Sequence, residues 1–448
     1  MVSDLTQGSI SKWLYRLTAP MVLGILAIFF FNIVDTYFIG LLGTEPLAAV
    51  SFTFPVTMIV MNLAIGISIA TGAVVARALG QKEEAQARAW VTASLYLSAL
   101  VSLTLSLIGL LNQDRIFTWL GAPDNILHLI KSFMTLWLMG CVFLILMIVI
   151  NASIRASGNT KLPSLLMLGS ATLNGILDPL LIFGIGPFPE MGIQGAALAT
   201  VISWGVAFVL VMRYILKHNL VTLAWPDELL DKWRLLIKLA IPASITNMLT
   251  PLANGILIAW IATYGTHAVA AYGVGSRLEP LAMIVVLAFT SSLTPFVGQN
   301  HGAGEHQRIE QALLKCMQFV FVWQLIIYAL LSLFAHPISA AFSDEPEVQN
   351  IIRTFIYIVP MSYFAIGFTL VSTATMNALH KTQISLNLNL MRLFMFYLPC
   401  AAIGQYLGGL EGIFWGCMVG NLIMGMLVLV LFLKVRANPH MQERLLKV

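Results

Sequence analysis

The sequence contains very little charge. Of its 448 residues only 10% are charged, whereas 59% are hydrophobic, and the mean hydropathy is +0.88. Soluble globular domains carry about 25% charged residues, which excludes a soluble fold for most of the chain. Apolar runs of about 20 residues recur from end to end, and each is long enough to cross a bilayer as a helix. The composition therefore predicts a polytopic membrane protein whose main partner is the lipid bilayer.

The residue types that build common catalytic and metal centres are also scarce. The chain has four cysteines and eight histidines, and none of them shows zinc-ligand spacing or a disulfide framework. It has no glycine-rich phosphate-binding loop, so direct use of ATP is not indicated. The basic residues are spread along predicted loops, which argues against a nucleic-acid partner. We therefore expect neither an enzyme nor a cofactor nor a structural metal.

The apolar runs predict an all-α fold with twelve transmembrane helices. Lys and Arg concentrate in alternate loops, and the positive-inside rule then places both termini in the cytoplasm. We expect a multi-pass protein of the bacterial inner membrane. The predicted helices have the approximate bounds 14–40, 47–76, 90–112, 131–153, 163–185, 193–216, 237–261, 270–298, 313–335, 353–377, 387–407 and 411–434.

The two halves of the chain repeat one another. A shift of 222 residues brings Pro20 onto Pro242, and a shift of 220 brings Pro179 onto Pro399. Each half contains six predicted helices, so both insert in the same orientation and are related by an axis along the membrane normal. Parallel repeats of this kind are typical of secondary transporters.

This repeat divides the chain into two lobes. We predict an N-lobe at residues 1–218 that carries a cation-coupling site, a cytoplasmic linker at 219–236, and a C-lobe at 237–448. The linker is the longest polar segment between predicted helices and contains Trp225-Pro226-Asp227.

Acidic side chains occur inside two predicted helices of the N-lobe. Asp35 lies one turn after Asn32, and Asp178 lies one turn after Asn174. A carboxylate in the hydrocarbon layer is costly and is retained mainly where it has a function. Both acids are predicted at a similar depth, where they would repel each other if both were ionised. They are expected to exchange a proton or to hold a cation with the asparagine oxygens; the alternative is a pair of protonated packing residues.

Two further residues extend this candidate site. Asn151, at the end of the fourth predicted helix, is placed to line the same cavity. Pro20 interrupts the hydrogen bonding of the first helix and is a natural bend point. We predict that protonation of Asp35 lets this helix bend near Pro20.

The C-lobe differs in its charges. Its repeat positions for Asp35 and Asp178 are Leu257 and Leu398, so the acid site is expected in the N-lobe alone. The C-lobe instead contains other charged residues in apolar surroundings, which are predicted either to form ion pairs or to line the substrate path. These residues are Arg277, Glu279 and Arg392.

The repeat, Asn32-Ile-Val-Asp35 and Asn174-Gly-Ile-Leu-Asp178-Pro179 together resemble the multidrug and toxic compound extrusion (MATE) family, and the acid pattern resembles its DinF branch. Gly80-Gln-Lys and Gly298-Gln-Asn-His-Gly302 add to a likeness that covers about residues 10–435. The resemblance implies two lobes in a V shape and cation-coupled export of organic, often cationic, drugs by alternating access.

The same resemblance implies a proton or sodium site at Asp35, Asn174 and Asp178, with Asn151 nearby. Phe31 and Ala196 stand where some relatives have further oxygen ligands, although Thr200, one turn beyond Ala196, is a possible cavity residue. Fewer oxygen ligands favour protons over sodium as the coupling ion. We expect a monomer that takes small-molecule drugs or toxic organic cations.

Two alternatives stay open at this point. One is a flippase for a lipid-linked precursor, which would need a basic cavity for a pyrophosphate, and only Arg277 and Arg392 are available for that. The other is an intramembrane enzyme that uses the two aspartates, which would form product without a proton gradient.

Overall fold

The computed structural model describes residues 3–222 and 225–438, and this part of the chain is helical, without a strand. The all-α fold is therefore confirmed. A 3₁₀ turn lies at Val359–Ser362, and a π-helix lies at Met391–Tyr397. The helices are α1 (Ile10–Leu41), α2 (Thr44–Gly80), α3 (Glu84–Trp119), α4 (Asp124–Ala156), α5 (Lys161–Ile182), α6 (Ile193–Lys217), α7 (Leu229–Ala262), α8 (Thr266–Gly302), α9 (His306–Leu333), α10 (Ala335–Phe342), α11 (Pro346–Ile358), α12 (Tyr363–Ala378), α13 (Thr382–Leu390) and α14 (Leu398–Ala437).

Eleven helical stretches of the described residues are long and apolar enough to cross a membrane. The last, Thr382–Ala437, is broken at Gly408 and Gly409, whose backbones leave the helical region. Gly409 has φ +61°, a left-handed conformation that glycine adopts without a steric penalty. The break divides this stretch into two, which gives the twelve predicted spans. The amphipathic α10 is an addition that the hydropathy pattern did not indicate.

The described chain forms two compact units. Unit 1 comprises Met1–Leu5 and Arg16–Ser244, and its core lies around α4, which packs against α2, α3 and α6. Helix α5 packs on α6, and small residues bring it close to α1: a Cβ on Gly24 would touch the backbone of Ser164.

The segment between α6 and α7 and the beginning of α7 are fixed to α3 within unit 1. The Thr222 backbone N–H donates to Thr92 Oγ1 at 3.0 Å, and Trp233 Nε1 donates to the Ala93 carbonyl at 2.9 Å. Helix α7 already begins at Leu229, and it continues through the boundary between the units at Ser244. The polar linker proposed for 219–236 thus includes the first two turns of a helix.

Unit 2 comprises Thr6–Tyr15 and Ile245–Val448. Its central helix is α12, which packs against α8, α9 and α14. The beginning of α1 belongs to this unit, where Arg308 donates to the Gly8 carbonyl at 3.0 Å and Lys315 donates to Ser11 Oγ at 3.1 Å. Helix α1 therefore starts in unit 2 and continues in unit 1 from Arg16.

Candidate functional site

Asp178 is the centre of a buried polar network in unit 1. It lies on α5 with no exposed surface, and its Oδ2 accepts a hydrogen bond of 2.8 Å from the Asn174 side-chain amide. The Asn174 oxygen lies 3.2 Å from both Oγ1 and the backbone nitrogen of Thr200 on α6. Asn174 and Asp178 share one face of α5 because they are four residues apart. Two adjacent helices thereby hold one carboxylate in a fixed orientation.

Asp35 on α1 is the second acid of this site. Its side chain is partly buried, and its Oδ1 is buried without a hydrogen-bond partner among the described residues. Its charge acts on Asp178, so the two carboxylates are near enough to interact. Two ionised carboxylates repel each other strongly where water is excluded, and a proton or a cation relieves that repulsion. The structure thus brings together the two acids that the sequence singled out.

The other predicted site residues, Asn151, Asn32 and Pro20, differ in their burial and in their hydrogen bonds. Asn151 on α4 is buried, and its Oδ1 has no hydrogen-bond partner in the part of the chain that the structure describes. Asn32 is exposed, and its amide donates to the Ile28 carbonyl of its own helix at 2.9 Å rather than to Asp35. Pro20 lies inside α1, which runs as one continuous helix from Ile10 to Leu41.

Thr200 makes a larger contribution than its position in the sequence indicated. It is buried and fixes the Asn174 amide, so that the amide N–H₂ points at Asp178. A threonine in an apolar helix is common. Thr200 belongs to the site only because the packing of α5 on α6 brings it to Asn174, which is 26 residues away in the sequence. Nothing in the local sequence distinguishes it from a packing residue.

A metal centre built from side chains is not formed in the described ranges, since no group of three His, Cys, Asp or Glu residues is placed to hold one. The oxygens available for a sodium ion at the acid site are mainly those of Asp35 and Asp178, because the Asn174 oxygen faces Thr200.

The three residues Arg277, Glu279 and Arg392 of unit 2 do not form an ion-pair network with one another at short range. Arg277 is exposed, whereas Arg392 is buried and donates to Thr250 Oγ1 at 3.3 Å. Glu279 lines a cavity and acts on Arg392 electrostatically, but within the described residues no salt bridge of 4.0 Å or less involves either group.

The twelve apolar spans, the two units and the buried acids define a polytopic membrane transporter. The family model of MatE matches residues 20–180 and 242–403, so the chain belongs to the MatE family of transporters. The two matches begin at the positions of Pro20 and Pro242, which are the residues that the internal repeat aligns. The resemblance read from the motifs is therefore confirmed at the level of the family.

Curated relatives include proteins named for different activities. The FAD transporter of Shewanella oneidensis is 40% identical over 424 residues, which are 94% of each chain. The probable multidrug resistance protein YoeA of Bacillus subtilis is 30% identical over 75% of this chain and 74% of that one. The multidrug export protein MepA of Staphylococcus aureus is 26% identical over 96% of this chain and 95% of that one.

Among solved structures, the Vibrio cholerae MATE transporter VcmN in the bent form superposes with a TM-score of 0.91. The match covers 95% of this chain and 96% of VcmN at 34% identity. The motifs of the two halves also suggested VcmN itself, but this identity makes the chain a relative of VcmN. The assignment to the DinF branch stays a prediction.

Proposed function

We propose that the chain is a secondary active exporter that couples the outward movement of a flavin nucleotide, such as FAD, to the inward movement of protons. The observation that carries the coupling is the buried Asp178–Asn174–Thr200 network beside Asp35, whose Oδ1 is unpartnered among the described residues. The substrate class follows the FAD transporter of Shewanella oneidensis, which is 40% identical over 94% of both chains. We place the protein in the bacterial inner membrane as a monomer with both termini in the cytoplasm.

Protons fit the acid pair because one proton removes the repulsion between the two carboxylates without needing further ligands. In the proton-loaded state Asp35 would be neutral and would carry an O–H donor, which changes how its side chain on α1 interacts with its surroundings. Since Pro20 leaves one backbone carbonyl of α1 without its helical partner, the helix resists bending least there. Protonation at Asp35 would thus be converted into a bend near Pro20 and a change of access to the site.

The coupling is tested in proteoliposomes with FAD on one side and an imposed pH difference. Asp35→Asn and Asp178→Asn are each expected to lose proton-driven FAD transport, because an amide cannot exchange the proton. Asp344→Asn is the matched control, since Asp344 is an exposed acid and the chemical change is the same. Full proton-driven transport in both site variants would refute the coupling role, and transport driven by a sodium gradient alone would refute the choice of ion.

The hinge has its own test. Pro20→Ala restores a backbone N–H inside α1 and is expected to slow transport while the protein becomes no less heat-stable. The measurements are FAD transport and thermal unfolding of the same preparation. Wild-type transport in Pro20→Ala would show that α1 need not bend at this residue.

Organic cations are the second candidate substrates. They are favoured by the multidrug activities for which the relatives YoeA and MepA are named, at 30% and 26% identity. The same vesicles decide between the two classes when FAD and a cationic dye are offered separately. Dye export without FAD export would replace the flavin nucleotide by organic cations and would leave the proton-coupling proposal in place.

A further inference from the structure

Unit 2 contains a small cavity that the acid site does not use, and polar groups interrupt its mainly apolar wall. Its volume is about 100 Å³, and it lies among α7, α8, α14 and the π-helix. Hydroxyl, amide and carboxyl groups share its wall with aromatic rings. The lining residues that matter here are Thr250, Asn254, Tyr272, Glu279, Tyr397 and Phe414.

Arg392 is not one of the lining residues, but it contacts one of them, Thr250. Its side chain is 6% exposed, its Nη2 donates to Thr250 Oγ1 at 3.3 Å, and its Nε has no hydrogen-bond partner among the described residues. Its electrostatic partner Glu279 lies beyond salt-bridge distance, and a buried guanidinium without a salt bridge is costly, more so within a membrane span. Such a group is therefore expected to meet an anion during the working cycle.

The backbone around Arg392 is also unusual. Arg392 and Tyr397 both lie in the π-helix Met391–Tyr397, and π-helical turns are rare and concentrate at functional sites. The corresponding part of the repeat in unit 1 is helix α5, which continues without such a turn. The irregular turn thus coincides with the buried guanidinium beside the cavity.

We infer that this cavity binds a phosphate group of the exported nucleotide, with Arg392 as its charge partner. This inference rests on the proposed export of a flavin nucleotide. A phosphate is small enough for the cavity, and the planar guanidinium presents paired donors that match phosphate oxygens. Thr250 and Asn254 on α7 and Tyr397 on the π-helix supply further hydrogen-bond donors. Tyr272 and Phe414 also line the cavity and offer aromatic surface to the attached ring system.

Glu279 limits the affinity of this site. Its carboxylate lines the same cavity and already acts on Arg392 from beyond salt-bridge distance. A phosphate therefore competes with Glu279 for the guanidinium. Binding without such competition would be tight, whereas an exporter must also release its substrate.

The test compares three flavins that share one ring system: riboflavin without a phosphate, FMN with one, and FAD with two. In Arg392→Gln the transport of FMN and FAD relative to riboflavin is expected to fall roughly 10- to 100-fold, the range for losing a hydrogen-bonded charge partner. Arg392→Lys keeps the charge and should recover part of the preference. Glu279→Gln should raise the preference for the phosphorylated flavins. Riboflavin transport serves as the internal control for folding.

An equal loss of all three flavins in Arg392→Gln, with no recovery in Arg392→Lys, would overturn the phosphate site. Binding of ADP to purified wild type and Arg392→Gln separates this inference from the proposed substrate. Arg392-dependent ADP binding without FAD export would retain the anion site and reject the flavin nucleotide as substrate. FAD export with an unchanged flavin preference in Arg392→Gln would retain the substrate and reject the site.

Discussion

The two units use equivalent positions in opposite ways. In unit 1, α5 and α6 meet through Asn174 and Thr200, which orient Asp178. At a shift of 220 residues, Asn174 corresponds to Phe394 and Thr200 to Gly420. A Cβ on Gly420 would lie 2.7 Å from the Tyr397 α-carbon, so the two segments of unit 2 are in direct backbone contact. At these equivalent positions unit 2 has close backbone packing, whereas unit 1 has a hydrogen-bond network.

This comparison shows which part of the repeat the fold requires. Pro20, Pro179 and several helix-end glycines recur in the second half, whereas the acid-site residues Asp35, Asn174, Asp178 and Thr200 have no polar counterpart there. Unit 1 leaves room for a hydroxyl and an amide and uses them to hold an acid. Unit 2 closes that space and places its polar groups elsewhere, around Arg392 and Glu279. The helical scaffold is duplicated, but the buried charged residues differ: Asp35 and Asp178 in unit 1, and Arg392 and Glu279 in unit 2.

The largest expected effect follows from moving an acid into unit 2. Leu257 is fully buried at the repeat position of Asp35. Leu257→Asp should lower the free energy of unfolding by about 3 kcal/mol, the typical penalty for an acid at the centre of a membrane helix. Thermal unfolding in detergent measures it, with Leu257→Met as the apolar control. A variant as stable as wild type would mean that unit 2 accommodates an acid as well as unit 1 does.

A smaller loss is expected when the threonine of unit 1 is copied into unit 2. In Gly420→Thr the added atoms collide with the backbone of Phe396 and Tyr397. Overpacking of this kind costs about 1–3 kcal/mol. Gly205→Ala on α6 is the control, because nothing lies within 4 Å of a Cβ there. Equal thermal stability of the two variants would remove close backbone contact as the reason for glycine at 420.

The reverse change tests the network of unit 1. Thr200→Val removes the hydroxyl that lies 3.2 Å from the Asn174 side chain and should cost about 1 kcal/mol, the usual net value of one hydrogen bond. Proton-driven transport should fall as well, because Asn174 is then free to turn away from Asp178. Thr200→Ser keeps the hydroxyl and should behave like wild type. If Val and Ser variants transport equally, Thr200 does not orient the site.

The smallest effect is expected at the surface. Lys131 and Asp114 form an exposed salt bridge in unit 1. Asp114→Asn should change stability by less than about 1 kcal/mol, and added salt should abolish even that difference. Thermal unfolding at low and high ionic strength measures it. A large, salt-resistant loss would assign this pair a structural role comparable to the buried network.

Much of the fold could be predicted because it depends on local properties of the chain. Long apolar runs give the spans, and the repeat of Pro20 and Pro242 gives the two halves. Two features were beyond this reasoning. The unit boundary lies inside α7, and α10 is too short for a hydropathy signal. Both depend on which surfaces pack together, and no local pattern records that.

The site was predicted in part for the same reason. Asp35 and Asp178 stand out in the sequence because a carboxylate in an apolar run is costly whichever way its side chain points. Asn32 also shares a helical face with Asp35, yet its amide bonds to its own backbone. From the sequence Thr200 was only a possible cavity residue, whereas in the structure its hydroxyl oxygen lies 3.2 Å from the Asn174 side chain.

The sequence by itself determined the membrane setting, the duplication and the identity of the acids, since each of these follows from the transfer energy of individual side chains or from the repetition of their order. Only the tertiary structure decided which polar groups meet, because that depends on how each helix is rotated about its own axis and how closely it packs. The orientation of Asp178 by Asn174 and Thr200 is set in this way, and so is the position of the buried Arg392 guanidinium beside its cavity.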